Sequence, residues 1–170
     1  MTTSSADQVE PLLEQTIDVR ATPDRVWALV SDLPRMSRWS PQVVRSILRG
    51  GRPVRLGSRM VNVNRRGLLV WPTQAKVVRF EPTREIAFKI KENGTTWSFT
   101  LEPAAGVDGT EADGTRIVQR REAQQGTSDL SRKLVDRFMG GQVTFQDELR
   151  AGMRQTLARI KAEAEAVPGR

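Results

Sequence analysis

The chain has 170 residues, a length that fits one ordinary domain, and it contains no cysteine, histidine or tyrosine. Those absences exclude disulfide bonds, thiolate and imidazole metal sites, a cysteine nucleophile and every catalytic triad that uses histidine. Basic residues outnumber acidic ones by 27 to 20, a net charge of +7 at neutral pH. Because the arginines are spread along the sequence, we expect most of these charged side chains to lie on the solvated surface. We do not expect a nucleic-acid partner.

We do not expect an export signal at the N-terminus, since Met1–Gln8 is short, polar and not followed by an apolar stretch. No segment approaches the ~20 apolar residues that cross a bilayer. We therefore expect a cytoplasmic protein without a membrane span. Residues 1–10 are expected to form a flexible tail, and residues 11–167 a single domain. The residue types present predict neither a metal site nor a cofactor.

The first elements of the predicted domain are a strand and two short helices. Leu13–Arg20 alternates apolar and polar residues, as a half-buried strand does. The tripeptide Thr22-Pro23-Asp24 predicts a helix start, because threonine caps helices, proline fits the first helical position and an acid favours the first turn. A second short helix is expected over Met36–Trp39.

A meander of about six strands follows, separated by turns of glycine, proline and asparagine. The strand-like runs are Val43–Leu48, Ser58–Asn64, Leu69–Phe80, Glu85–Lys91, Thr95–Leu101 and Thr115–Glu122. Between two of them, Asn93-Gly94 is a strong hairpin signal. The segment Pro103–Gly114 is rich in glycine, alanine and aspartate and predicts a loop.

The C-terminal part of the chain has helical spacing on both sides of Gly140-Gly141. Before this break, apolar residues recur at helical intervals, at Leu130, Leu134, Val135 and Phe138. After it, they recur every three or four positions from Phe145 to Ala164, which predicts a long amphipathic helix. The glycine pair is either a hinge that lets the preceding segment act as a lid, or a plain break between two packed helices.

The order of the predicted elements indicates the fold class. A strand, two short helices, a meander and a long helix predict an α+β fold. In it, a curved antiparallel sheet of six or seven strands wraps around the C-terminal helix. Such a sheet encloses space against the helix, and whether that space is filled or hollow decides the function.

Three stretches of the sequence match a known pattern: Ala21–Pro41, Asn64–Gly67 with the following Trp71, and Gly152–Lys161. In this order, over nearly the whole chain, they resemble the START-like helix-grip superfamily. Within it they resemble the polyketide cyclase/dehydrase and lipid-transport (SRPBCC) family. The resemblance implies a deep, mainly apolar cavity between sheet and helix that accepts a small hydrophobic molecule, lipid-, polyketide- or aromatic-like. It leaves the function open, because members include binders, cyclases, aromatases and ribosome-associated factors.

Alternation along the strands and spacing along the long helix predict which large residues face this cavity. The candidates are Trp71, Phe88, Trp97, Phe99, Phe138, Phe145, Leu149 and Met153. A packed core uses the same residue types, so each is alternatively a plain core residue. Trp39 either closes the cavity or anchors the segment between helix and strand in the core.

Polar residues at strand positions that alternate in step with buried apolar ones indicate a cavity better than apolar residues do. Burying a polar group without a partner costs ~1–3 kcal/mol. Met60, Asn62 and Asn64 alternate with Val61 and Val63, and the residues alone leave open which set points inward. The family resemblance favours an inward position for Met60 and the two asparagines.

Gln119 and Arg121 share the alternation phase of Ile117 on the last predicted strand, so both can reach the cavity mouth. Arginine suits two-point binding of a carboxylate, carbonyl or phenolate oxygen. The alternative for this pair is a surface position with a salt bridge to Glu85 or Glu122.

The sequence therefore predicts first a protein that binds a small hydrophobic molecule, with Arg121, Asn62 or Asn64 at its polar end. The alternative is a cyclase or aromatase that positions a polyketone and stabilises its enolate. The lack of histidine and tyrosine counts against that enzyme. A second alternative is an RNA- or ribosome-associated member, whose binding would depend strongly on salt. No catalytic residue is assigned, and the oligomeric state is left open.

Overall fold

A computed structural model describes residues 9–104 and 114–166 of the chain. The strands in this part are β1 (Leu12–Val19), β2 (Val43–Arg49), β3 (Arg59–Arg66), β4 (Leu69–Glu81), β5 (Glu85–Ile90), β6 (Thr96–Ala104) and β7 (Gly114–Glu122). The helices are α1 (Pro23–Val30), α2 (Met36–Trp39), α3 (Asp129–Phe138) and α4 (Gln142–Glu165), with a 3-10 turn at Leu33–Arg35.

The seven strands form one antiparallel sheet in the order β1-β7-β6-β5-β4-β3-β2. β1 and β2 are its edges, so the sheet is not closed. The long helix α4 contacts β1, β7 and the other three helices. We call the face of the sheet toward α4 the inner face and the opposite one the outer face. This is the predicted α+β helix-grip arrangement, and the fold prediction is confirmed.

Local signals in the sequence explain where the helices begin and end. α1 starts at Pro23, and the Thr22 hydroxyl accepts a hydrogen bond from the Arg25 amide at 3.4 Å. Gly140 and Gly141 have φ angles of +78° and +89°, in the left-handed region that favours glycine. The helical conformation is therefore interrupted between α3 and α4. Whether this break acts as a hinge stays a prediction.

Strand boundaries differ from the predicted ones around the loop Pro103–Gly114. β6 continues to Ala104 and β7 begins at Gly114, and these two residues still pair across the ladder. Ladder hydrogen bonds keep both ends in the sheet despite their loop-like composition. Residues 105–113 of the predicted loop and residues 1–8 of the predicted tail lie outside the described residues.

The inner face of the sheet is divided into a filled half and an open half. In the filled half, α1 and the C-terminal part of α4 pack on the sheet. The residues buried there include Val26, Ile86, Phe99, Ile117 and Ile160, each 1% exposed or less. In the open half, the sheet, α3 and the N-terminal part of α4 surround a cavity. Packing therefore stabilises one half of the inner face and leaves room in the other.

Candidate ligand-binding cavity

The cavity of the open half has a volume of about 440 Å³ and a mainly apolar lining. Pockets for small organic molecules usually measure about 300 to 1,000 Å³. Twelve of the predicted site residues form part of its wall: Met60, Asn62, Asn64, Trp71, Phe88, Trp97, Gln119, Arg121, Phe138, Phe145, Leu149 and Met153. That any of them contacts a ligand stays a prediction.

Two predicted site residues, Trp39 and Phe99, do not line the cavity, which corrects the prediction for both. Phe99 shares the alternation phase of Trp97 but lies one step nearer the filled half, where it is 1% exposed. Trp39 is also 1% exposed, and its Nε1–H donates to Oε2 of Glu163 on α4 at 2.9 Å. Alternation identifies the face of a strand but not how far along it the packing extends.

The two asparagines of β3 lie on the inner face, the choice that the residues alone leave open. Asn62 is 4% exposed, and its Oδ1 accepts a hydrogen bond from the Ser46 hydroxyl at 2.7 Å. Nδ2 of Asn64 donates to the Trp71 carbonyl at 3.3 Å and to the Thr73 hydroxyl at 3.0 Å. These bonds to neighbouring strands lower the cost of holding amides on an apolar wall.

Arg121 lies where β1, β7 and α4 meet at one end of the cavity, and it is 3% exposed. Its Nη1 donates to the carbonyl of Glu10 at 3.2 Å, and its Nη2 donates to Oε1 of Gln146 at 3.4 Å. Its Nε–H has no hydrogen-bond partner, and no carboxylate of the described residues forms an ion pair with it. A buried guanidinium without a counter-ion therefore borders the cavity.

Burial is the main influence on the charge of this guanidinium. It lowers the pKa of Arg121; the nearby Glu10 carboxylate opposes the shift and the Arg150 guanidinium adds to it. The Glu10 carboxylate does not neutralise Arg121, because it is itself hydrogen-bonded and ion-paired to Arg150. Arginine stays charged in proteins even when its pKa falls, so the site keeps an unbalanced positive charge.

Gln119 lies beside Arg121 on the inner face of β7 and is 5% exposed. Its Oε1 is buried and has no hydrogen-bond partner in the described part of the chain. The salt bridge that the sequence allows for Arg121 is not formed, since Glu85 and Glu122 both pair with Arg79. The two inner-face residues therefore leave one donor and one acceptor buried and unused beside the cavity.

Helix α3 borders the mouth of the cavity. Three of its apolar residues line the cavity but are 70%, 46% and 55% exposed: Leu130, Leu134 and Phe138. Hydrogen bonds hold one end of the helix to the β5–β6 turn and the other to β3. Before α3, the Ser128 hydroxyl donates to the Glu92 carbonyl at 2.9 Å, and at its end Nη1 of Arg66 donates to the Phe138 carbonyl at 3.2 Å.

A sheet that grips a long helix around an apolar cavity is the arrangement that the sequence resemblance implies. The profile of the family described as polyketide cyclase / dehydrase and lipid transport matches residues 11–165. The chain belongs to this family. The family prediction is therefore confirmed, and the match spans every strand and helix described above.

Solved structures of similar fold include aromatase/cyclases. The di-domain StfQ from the steffimycin biosynthetic pathway is 18% identical, with a TM-score of 0.68 over 94% of this chain and 51% of that one. The Zhui aromatase/cyclase from a Streptomyces species is 13% identical, with a TM-score of 0.68 over 91% and 93%. Cgl2372, a polyketide-cyclase-like protein from Corynebacterium glutamicum, is 23% identical, with a TM-score of 0.57 over 91% of both chains.

These identities show a shared fold and no more. The chain spans about half the length of the two di-domain proteins, StfQ and BexL. No curated protein matches the chain. The cavity of this family member therefore has to be interpreted from its own residues.

Some cavity residues escape the sequence patterns. Gln142, Gln146 and Thr156 of α4 are buried on the same helix face as Leu149 and line the cavity. Their spacing of three or four positions from the apolar residues is visible in the sequence, so polar positions within an amphipathic stripe are the signal that could find them. Residues 40–43, which follow α2 and also line the cavity, show no periodic signal.

An ion pair joins β3 to α4 beside the mouth. Nε and Nη2 of Arg66 donate to the two carboxylate oxygens of Glu148 at 2.8 and 2.6 Å. These bonds hold the pKa of Glu148 below its ordinary value of 4.5, against the opposing effect of partial burial. Because the folded-state pKa is the lower one, the pair stabilises the fold above about pH 4.5. This contribution is lost as the pH falls through the lowered pKa.

We expect Glu148→Gln to lower the melting temperature at neutral pH, because the variant lacks the charge that Arg66 binds. The difference from wild type should shrink as the pH falls from about 4.5 through the lowered pKa of Glu148, below which folded wild type is protonated as well. Thermal unfolding followed by circular dichroism over this pH range measures both effects. Asp147→Asn is the matched control, because that neighbouring carboxylate is 69% exposed and should matter less. A difference independent of pH would contradict the prediction.

Proposed function

We propose that the protein binds a small apolar molecule carrying an acidic oxygen group, and that this group lies against Arg121. The observation that supports the proposal is the buried guanidinium, which borders an apolar cavity without a carboxylate partner in the described structure. A buried charge without a counter-ion costs stability, so a ligand anion would supply what the fold leaves out.

The lining of the cavity suits such a molecule along its length. Trp71, Phe88 and Trp97 provide an apolar wall for the body of the ligand. At the polar end, a carboxylate or phenolate oxygen can accept the unused Nε–H of Arg121. A ligand hydroxyl beside this oxygen can donate to the unused Oε1 of Gln119. The best ligand therefore has an anionic oxygen and a donor at the same end.

Dodecanoate and its methyl ester are suitable probes, because they share the apolar chain and differ in charge. We expect dodecanoate to bind at least about 10-fold more tightly, since only the acid pairs with the buried guanidinium. Native mass spectrometry gives the stoichiometry, and tryptophan fluorescence, with Trp71 and Trp97 on the wall, gives the affinity. Failure of both probes to bind would reject cavity binding. Equal binding of the two would reject the anchoring role of Arg121.

A cyclase or aromatase reaction is the second candidate, because the same guanidinium could stabilise an enolate oxygen of a folded polyketone. Glu92 is the one carboxylate on the described wall, and its Oε2 already accepts a hydrogen bond from the backbone N–H of Gln74 at 2.9 Å. Acid–base chemistry would depend on this group or on water, which favours binding over catalysis. Product analysis of a poly-β-ketone with wild type and Arg121→Ala tests it, and identical products with and without protein would reject it.

A further inference from the structure

The positive charge of the chain is concentrated in one segment. Residues 41–80 contain nine basic residues and no acidic residue, whereas the whole chain contains 27 and 20. This segment forms β2, β3 and nearly all of β4, which are neighbours at one edge of the sheet. Strand pairing therefore places the basic residues of this segment side by side on neighbouring strands.

Four basic residues form a row across the outer face of four strands. The register pairs Arg49 with Arg59, Arg59 with Lys76, and Lys76 with Lys89. All four are exposed, and none forms an ion pair with any residue that the structure describes. Like charges directly opposite one another on neighbouring strands destabilise a sheet. The stability of the fold therefore does not explain this row.

At the other edge of the sheet, basic residues of the outer face form ion pairs. On β1 and β7, Arg116 pairs with Asp18 and Arg120 pairs with Glu14, both at 2.7 Å. Within the segment 41–80, ion pairs are formed by the arginines at positions 52, 66 and 79. The row thus leaves one region of the outer face with positive charge that no ion pair in the described structure balances.

Of the exposed aliphatic residues in these strands and their hairpin, Ile47 lies one outer-face position from Arg49. Val70 and Leu68 lie at the opposite end of the β3–β4 ladder from the basic row. Ile47 and Val70 are 44% and 56% exposed on the outer face, and Leu68 at the tip of the β3–β4 hairpin is 98% exposed. The described outer face of β2–β4 carries no aromatic residue on which a nucleic-acid base could stack. Mixed basic and aliphatic surfaces suit anionic bilayers, where the aliphatic groups enter the headgroup region and the cations attract the lipids.

We propose that the outer face of β2–β5 docks the protein on membranes that contain anionic phospholipids. The contact is peripheral, since no helix within the described residues is both long and apolar enough to cross a bilayer. The β3–β4 hairpin also borders the cavity through Leu69 and Trp71. The hairpin and the basic row lie at opposite ends of β3 and β4, so contact at both would lay the outer face along the lipid surface.

Vesicle co-sedimentation tests the proposal, with phosphatidylcholine vesicles either pure or containing one quarter phosphatidylglycerol. Wild type should bind the anionic vesicles, bind the neutral ones much less, and be released by salt. The double variant Arg49→Gln/Arg59→Gln should bind the anionic vesicles roughly 25-fold more weakly, about five-fold per cation removed. Lys76→Gln/Lys89→Gln removes the other end of the row and should have a similar effect.

The control is Arg84→Gln/Arg154→Gln, which removes the same charge from exposed positions outside this face and should change binding little. Equal losses in control and test variants would overturn the proposal, because net charge alone would then explain them. Absence of binding to the anionic vesicles at low salt would also overturn it. The proposal would also be overturned if RNA bound the protein through the row in a gel-shift assay while the anionic vesicles did not bind. Dodecanoate affinity and circular dichroism should be unchanged in all variants, which separates docking from cavity binding and from misfolding.

Discussion

Replacing Arg121 by methionine is expected to lower the affinity for dodecanoate by about 100-fold, while the free energy of unfolding stays equal or rises. Removing one partner of a desolvated charge pair usually costs about 2–5 kcal/mol of binding. Without ligand, the same guanidinium is buried with an unused Nε–H, a cost that methionine avoids. Calorimetric or fluorescence titration measures the affinity, and denaturant unfolding measures the stability.

Arg120→Met is the matched control, because it removes the same charge from the same strand on the outer face, where Arg120 pairs with Glu14. Its dodecanoate affinity should stay close to that of wild type. The methyl ester should bind Arg121→Met and wild type about equally, since it has no charge to lose. Unchanged dodecanoate affinity in Arg121→Met would show that the acid group lies elsewhere.

Replacing Trp39 by alanine is expected to lower the free energy of unfolding by about 3–5 kcal/mol, the usual loss for a fully buried large aromatic residue. Trp71→Ala should lower it by less than half as much, because Trp71 is only half-buried on the wall of an existing cavity. Denaturant unfolding of the two variants gives the comparison. It tests the division of the inner face with the same substitution in each half.

The ligand affinities should show the opposite order. Trp71→Ala removes part of the cavity wall and should weaken dodecanoate binding. Trp39→Phe, which keeps most of the buried volume and loses the hydrogen bond to Glu163, should leave the affinity unchanged. A larger stability loss in Trp71→Ala than in Trp39→Ala would mean that the filled and open halves are wrongly assigned.

Much of the fold is predictable from the sequence because its signals are local. Thr22 and Pro23 mark the start of α1, and the spacing of apolar residues predicts α4. Asn93-Gly94 predicts the hairpin between β5 and β6, and these strands do pair. Each signal acts within a few residues, so it is visible without knowledge of the rest of the chain.

The site is predictable in part, because alternation assigns a residue to a face of the sheet. It places Gln119 and Arg121 on the inner face correctly, but the lack of partners at Oε1 and Nε depends on which side chains reach them in three dimensions. The prediction that Phe99 and Trp39 line the cavity is wrong for a related reason, because the packing of α1 and α4 decides where the filled half ends. The basic row depends on strand register, which brings together Arg49 and Lys89 from distant parts of the sequence.

The division of the inner face also has an evolutionary consequence. Residues such as Val26 and Ile160 lie only in the packed half, whereas Met60 and Phe88 belong both to the core and to the cavity wall. Substitutions at distant, independent sites act nearly additively, so wall positions outside the core cluster, such as Trp71, can change without loosening the packed half. A lineage can thus acquire a new ligand while its scaffold persists. The fold itself persists in solved structures that share only 13% to 23% of their residues with this chain.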